Sequence, residues 1–147
     1  MAIKITQANE DDIYSFVEFE SPADVRQYII PYSAERHAKE MVVENTRYLS
    51  IYDDKELVGF MILVVEEGES VEFRRIVVGE KGRGVGQNAI LAMEDYCRNT
   101  LNKNRIWLDV FESNDRAIHI YNKLGFQSFS SCLFHNQRIW LMEKYVA

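Results

Sequence analysis

Cysteine and proline are both scarce, with two of each in 147 residues. Cys97 and Cys132 are too few and too far apart for a disulfide framework or a CxxC metal or redox site, which makes both reduced packing residues. Two prolines leave little room for a disordered linker, and 47% hydrophobic against 27% charged residues suits a chain that is folded throughout. Long apolar runs are missing as well. Val58 to Val65 falls far short of a membrane span, and Met1-Ala2-Ile3-Lys4 lacks a signal-peptide core, so a soluble, cytoplasmic protein with no membrane partner is expected. Positive charge is in deficit. A formal net charge of −6 argues against a nucleic-acid partner and tolerates a cationic substrate. His37, His119 and His135 share no ligand spacing with one another or with nearby carboxylates, so no metal is expected. There is no internal repeat, and the length fits one domain spanning 1–147 that buries roughly two-thirds of its unfolded surface.

What the chain does have is a glycine turn. Lys81-Gly82-Arg83-Gly84-Val85-Gly86 lies between the β-branched run Arg75-Ile76-Val77-Val78 and an amphipathic run from Gln87 to Asn99. The pattern reads as strand, phosphate-type turn and helix. Alternate glycines let the main chain bend tightly and present bare N–H groups, and the helix aims its positive end at the same spot. A P-loop is excluded because Gln87-Asn88 stands where Lys-Ser/Thr is needed, and a dinucleotide fingerprint because its third glycine would fall at Gln87. Taken alone, the turn fits either a pyrophosphate site or an ordinary helix entry.

The remaining pattern alternates strands and helices. Ile3 to Ala8 reads as a strand, Asn9 caps a short helix over Ile13 to Glu18, and Ser21-Pro22-Ala23-Asp24 starts a run toward Ile30. Pro31 interrupts it, and Ser33-Ala34-Glu35 opens a helix reaching Glu44. Tyr48 to Tyr52, Leu57 to Val65 and Val71 to Val78 form an antiparallel meander joined by polar turns. Val85, Ala89, Ala92, Met93 and Tyr96 put one apolar stripe on the following helix. Arg105 to Phe111 is a strand. Asn114 caps a helix with Ala117, Ile120, Tyr121 and Leu124 on its buried face, Gly125 ends it, and Phe126 to Phe134 with Arg138 to Tyr145 closes as a hairpin.

This order, with its phosphate-type turn after the fourth strand, resembles the GNAT N-acetyltransferase superfamily. Two blocks carry the resemblance. Val71 to Val78 with Lys81 to Gly86 is similar to the family's strand and its Arg/Gln-x-x-Gly-x-Gly/Ala turn. Asn114-Asp115-Arg116-Ala117-Ile118-His119-Ile120-Tyr121-Asn122-Lys123-Leu124-Gly125-Phe126 looks like the family's Asn-x-x-Ala-x-x-x-Tyr-x-x-x-Gly-Phe segment. Lys81 departs from the usual Arg or Gln. Main-chain N–H groups do most of the holding there, so a cationic Lys keeps phosphate binding without bidentate geometry.

The resemblance implies an α/β (α+β) fold: a mixed, mostly antiparallel sheet of about seven strands, splayed between the fourth and fifth, with about four flanking helices. It implies an acetyl-CoA-dependent N-acetyltransferase that needs no covalent acetyl-enzyme and no metal. Coenzyme A would be gripped at its pyrophosphate by Lys81, Gly82, Arg83, Gly84, Val85, Gly86 and Gln87, and its pantetheine arm would follow Ile76, Val77 and Val78. Open strand edges near Ile76 and Leu108 would bond that arm as if it were another strand. Asn114 would reach the cofactor, and a plain N-cap role is equally natural and compatible with it.

An alkylamine with a pKa of about 10.4 is almost wholly protonated at neutral pH, so a proton acceptor is required. Glu72 is the first candidate by resemblance, with Asp109 weaker, and a solvent-facing position is the plain alternative for Glu72. Tyr121 matches the family's tyrosine that protonates the departing thiolate and would also touch the cofactor. A phenol giving its proton to a thiol of ordinary pKa runs uphill by about 2 kcal/mol, which placement can offset; a core ring with a satisfied hydroxyl is its alternative. A main-chain N–H around Val77 would stabilise the oxyanion.

The acceptor would be a small-molecule amine or a peptide N-terminus, walled by residues 20 to 45 and 128 to 140. The two blocks are similar to the branch that acetylates polyamines or ribosomal-protein N-termini. Glu18, Glu20, Glu35, Glu40, Glu66 and Glu67 are candidates to attract such a cation, with solvated surface positions as the simpler explanation. A homodimer is compatible with the resemblance. The competing function is a non-catalytic acyl-CoA-binding regulatory module.

Overall fold

The computed structural model describes residues 2–79 and 83–146. Seven strands form one sheet in the order β1-β2-β3-β4-β5-β7-β6. They are β1 (Ile3–Gln7), β2 (Thr46–Asp53), β3 (Glu56–Val65), β4 (Ser70–Val78), β5 (Arg105–Phe111), β6 (Gln127–Phe134) and β7 (Gln137–Tyr145). Five helices cover it: α1 (Ile13–Phe19), α2 (Ala23–Arg26), α3 (Ala34–Met41), α4 (Val85–Asn99) and α5 (Asp115–Lys123). The expectation of about four helices is exceeded by α2, a single turn between Pro22 and the second proline, Pro31. α3 stops at Met41, short of Glu44, because the chain turns back at Asn45, whose φ is 71°. α4 starts two residues earlier than expected, at Val85. Gly84 takes a left-handed φ of 77° and delivers the chain straight into the helix.

Both faces of the central strands are buried, which explains the unbroken apolar run in β3. Met61 and Leu63 join the core beneath α4 and α5 with Leu49, Ile51, Phe73, Met93, Ile106 and Leu108. Phe60 and Ile62 join a second core beneath α1 to α3 with Phe16, Val25, Tyr48 and Val77. Phe16 stacks on Phe60 with ring centroids 4.4 Å apart, fixing α1 to the sheet.

Two irregularities shape the middle of the sheet. Leu63 pairs with Phe73 and Ile62 with Arg75, so Arg74 is an extra residue bulged out of β4. The bulge flips the alternation: Val71 and Phe73 face the α4 side before it, and Ile76 and Val78 pack on that side after it, leaving Val77 to the opposite core. β4 and β5 form the sheet's one parallel pair, and it is short. Ser70 pairs with Arg105, Val71 with Ile106 and Glu72 with Trp107, and there the pairing ends. β4 runs on to Val78 and β5 to Phe111, so the strands diverge at the positions where open edges near Ile76 and Leu108 were expected.

Candidate active site

The divergence opens a cleft of about 820 Å³. At one end it is lined by Gly84, Val85, Gly86 and Gln87 at the head of α4, with Ile76, Val77 and Val78 along its floor and Asn114 and Tyr121 of the α5 segment on its wall. All nine are residues expected to hold the cofactor. Arg83 turns away, its guanidinium donating to Asp53 at 2.8 Å, and Lys81 and Gly82 lie outside the described residues.

The helix head suits a diphosphate. Among the described residues no side chain caps α4, and its first turn carries no acidic residue, so its leading N–H groups and positive dipole end face the cleft. Asn114 does act as an N-cap, its Oδ1 accepting from the Ala117 N–H at 3.2 Å, and it also lines the cleft.

Tyr121 is held by aromatic neighbours, edge-on to Phe73 at 6.3 Å and tilted against Phe126 at 5.8 Å. Burial pushes its phenol up to about 12, and the negative charge of Asp109 adds to the shift. The hydroxyl therefore stays protonated across the neutral range, as a proton donor must.

Glu72 stands where β4 and β5 part, and Arg74 grips both its oxygens, with Nη2 at 2.9 Å from Oε1 and Nε at 3.3 Å from Oε2. Glu72 lies outside the cleft lining, whereas Asp109 is within it. The carboxyl of Asp109 is raised above the ordinary carboxylate range. Its side chain reaches solvent, yet the surrounding walls strip part of its hydration, and Glu72 repels its charge while Arg74 partly offsets both.

The far end of the cleft is walled by the α2–α3 connection and α3, through Tyr28, Ile29, Tyr32 and Arg36. This wall is tied down by a buried network that the sequence did not reveal. Glu20, fully buried, receives His37 Nε2 at 2.6 Å and the Tyr32 N–H at 3.2 Å, and pairs with Arg75. His37 Nδ1 meets the Tyr48 hydroxyl at 2.8 Å, which carries the network across to β2. Arg75 also donates to the Ile30 carbonyl at 3.1 Å. Arg36 and Arg75 both stack on the Tyr32 ring, 3.9 Å and 4.0 Å from its centroid. One signal was available in advance. Glu20 continues the stripe Ile13-Phe16, so its carboxylate had to be buried and partnered.

None of the six glutamates proposed to attract a cation lines the cleft; among the described residues its carboxylates are Asp24 and Asp109, set against Arg36, Arg74, Arg75 and Arg116. Glu20 is consumed by the buried network. Among the described residues, no three His, Cys, Asp or Glu side chains are grouped to hold a metal, and no helix is long and apolar enough to cross a membrane.

A model of the acetyltransferase (GNAT) family matches residues 10–126. The chain belongs to that family. Its cleft is accordingly that of an acetyl-CoA-dependent N-acetyltransferase, with the splayed, seven-stranded sheet that the resemblance implied. Spermidine N(1)-acetyltransferase of Escherichia coli K12 is 28% identical over 135 residues, covering 85% of this chain and 73% of that protein. The solved spermidine N-acetyltransferase of Vibrio cholerae, in complex with CoA and spermine, superposes with a TM-score of 0.85 at 22% identity, covering 97% of this chain and 95% of that one. A dodecameric structure of the Vibrio cholerae enzyme gives a TM-score of 0.79 at 22% identity, covering 98% and 94%.

Proposed function

We propose that this GNAT enzyme acetylates a primary amine by direct attack within a ternary complex, and that its acceptor class is a polyamine or a similar small amine. The observation that carries the mechanism is the convergence, in one cleft, of the uncapped head of α4, the open edge of β4 and the protonated Tyr121. When bound, acetyl-CoA supplies an activated acyl group on a thiol that leaves readily. N–H groups of residues 84 to 87 hold its diphosphate, the unpaired edge from Phe73 to Val78 bonds the amide-rich arm, and Asn114 borders it. A carboxylate at the splay takes the proton that keeps the amine from attacking. Tyr121 gives a proton to the departing thiolate.

The polyamine assignment is supported by the names of the relatives. It is tested by following thiol release from acetyl-CoA against spermidine, amino acids, aminoglycosides and short peptides. Turnover with spermidine above the others is the expected result. Coenzyme A binding without thiol release from any of these amines would instead indicate the regulatory module. A homodimer is proposed alongside, because edge strand β6 exposes Phe129, Leu133 and Phe134, and sedimentation of the purified protein checks it.

A further inference from the structure

Resting on the N-acetyltransferase assignment, the geometry points to Asp109, rather than Glu72, as the group that accepts the amine's proton. The β4–β5 pairing ends at Glu72 and Trp107, and Asp109 is the second residue beyond Trp107 on β5, already inside the divergence. Ile106, Leu108 and Val110 bury themselves under α4 and α5, so strand alternation turns Asp109 to the face that carries the α2–α3 wall. Its carboxylate borders the cleft there, within electrostatic reach of the Tyr121 phenol. Glu72 has both oxygens engaged by Arg74 and does not border the cleft.

The charged groups facing Asp109 define a division of labour. Glu72 and Arg74 reach it from β4, and Tyr121 from α5. Asp24, Tyr28, Tyr32, Arg36 and Arg75 line the rest of the acceptor end. Glu72 repels the negative charge on Asp109 and so makes it a better proton acceptor, while Arg74, paired with Glu72, limits that effect. Glu72 is then a positioning and tuning residue.

The proton balance closes on these groups. The ammonium nitrogen loses two protons in all as its bond to the acetyl carbon forms and the carbon–sulfur bond breaks. Asp109 takes the first and releases it to water. The second compensates Tyr121 for the proton given to the departing thiolate, so the products are the amide, coenzyme A as thiol and one solvated proton.

The test is the pH dependence of kcat/KM, measured by thiol release with propylamine, benzylamine and glycinamide, for wild type, D109N, E72Q and R74Q. D109N should lose about 100-fold at pH 7, the range of a single general base. Its rate should then climb tenfold per pH unit toward each amine's own pKa, fastest for the least basic amine. Calorimetric affinity for coenzyme A should stay within twofold. E72Q should keep an acid limb and move it to lower pH, and R74Q should move it higher. Loss of the limb in E72Q, with a mere displacement in D109N, would assign the proton to Glu72 and overturn the inference. So would a wild-type rate in D109N. A wild-type chain that binds coenzyme A and turns over no amine would overturn the transferase assignment and this inference together.

Discussion

His37 Nε2 and Glu20 Oε1 lie 2.6 Å apart in a position where neither side chain touches solvent. The pair closes a circuit through Arg75 and Tyr32 that sets the acceptor wall against β4. Replacing Glu20 with Gln keeps the shape but removes the charge opposite an Arg75 side chain that is only 9% exposed. A broken buried pair costs about 3–5 kcal/mol. At about 2–4 °C per kcal/mol for a domain of this size, thermal unfolding of E20Q should come roughly 6–20 °C early. Calorimetry checks that. In the surviving fraction the KM for amine should rise while affinity for coenzyme A holds, because the head of α4 takes no part in the circuit.

Tyr121→Phe removes the proton donor and leaves its packing on Phe73 and Phe126 intact. kcat should fall by about 10²–10⁴-fold, the ordinary worth of a general acid, with little change in coenzyme A affinity. The folded phenol titrates at about 12, above its unfolded value of 10.0, so its contribution to stability is whole below pH 10 and is lost as pH rises toward 12. Chemical denaturation across that window should show wild type weakening more steeply than Y121F.

The fold was largely legible because its signals are local. The glycines at the head of α4, the Asn114 cap, the polar turns of the meander and the apolar stripe of α4 each report on residues a few positions apart, and among the described residues each appears where expected. The end of the cleft at the head of α4 was legible as a place in the fold for the same reason, since Gly84 and Gly86 stand next to the helix they open. The acceptor end was not. Glu20 and Arg75 are joined across 55 positions and Tyr28 to Ser113 across 85, and no periodicity reports such distances. The bulge at Arg74 was hidden too, and a bulge inverts which residues of a strand share a face.

Asp109 carries a stability cost that its asparagine counterpart lacks. Its carboxyl titrates above its unfolded value, so its favourable contribution is present at low pH and fades as pH rises through the folded pKa. At pH 7 the ionised group is therefore a burden. D109N should unfold at a higher temperature than wild type at pH 7, and the gap should close in acid. Melting curves at the two pH values measure this, and a lower melting temperature for D109N at pH 7 would contradict it.

Gly86 tests the demands of folding and of binding in one position. A Cβ built there meets the Val78 side chain at 3.9 Å, an ordinary contact, and no left-handed φ stands in its way. G86A should therefore fold at least as well as wild type, gaining up to about 1 kcal/mol of helix propensity. The family's turn takes Gly or Ala at this position, so coenzyme A affinity should hold within about twofold although Gly86 lines the cleft, and a loss of about tenfold, equivalent to about 1.4 kcal/mol, would contradict this.

Arg36 tests the acceptor's charge. Its guanidinium lies over the Tyr32 ring, 54% exposed, with Glu40 3.7 Å away as a loose partner. A polyamine entering this end meets a like charge, and each such exposed interaction is worth about 0.2–1 kcal/mol. R36Q should lower the KM for spermidine by roughly 1.5- to 5-fold in low salt and leave that for propylamine nearly unchanged, because the monoamine brings no second ammonium group to this end of the cleft. Raising the salt concentration to about 1 M, where screening acts within about 3 Å, should erase the difference between R36Q and wild type. A spermidine KM that rises in R36Q would instead mark the arginine as a contact for an anionic part of the acceptor, and the polyamine assignment would give way to an amine that carries a carboxylate or phosphate.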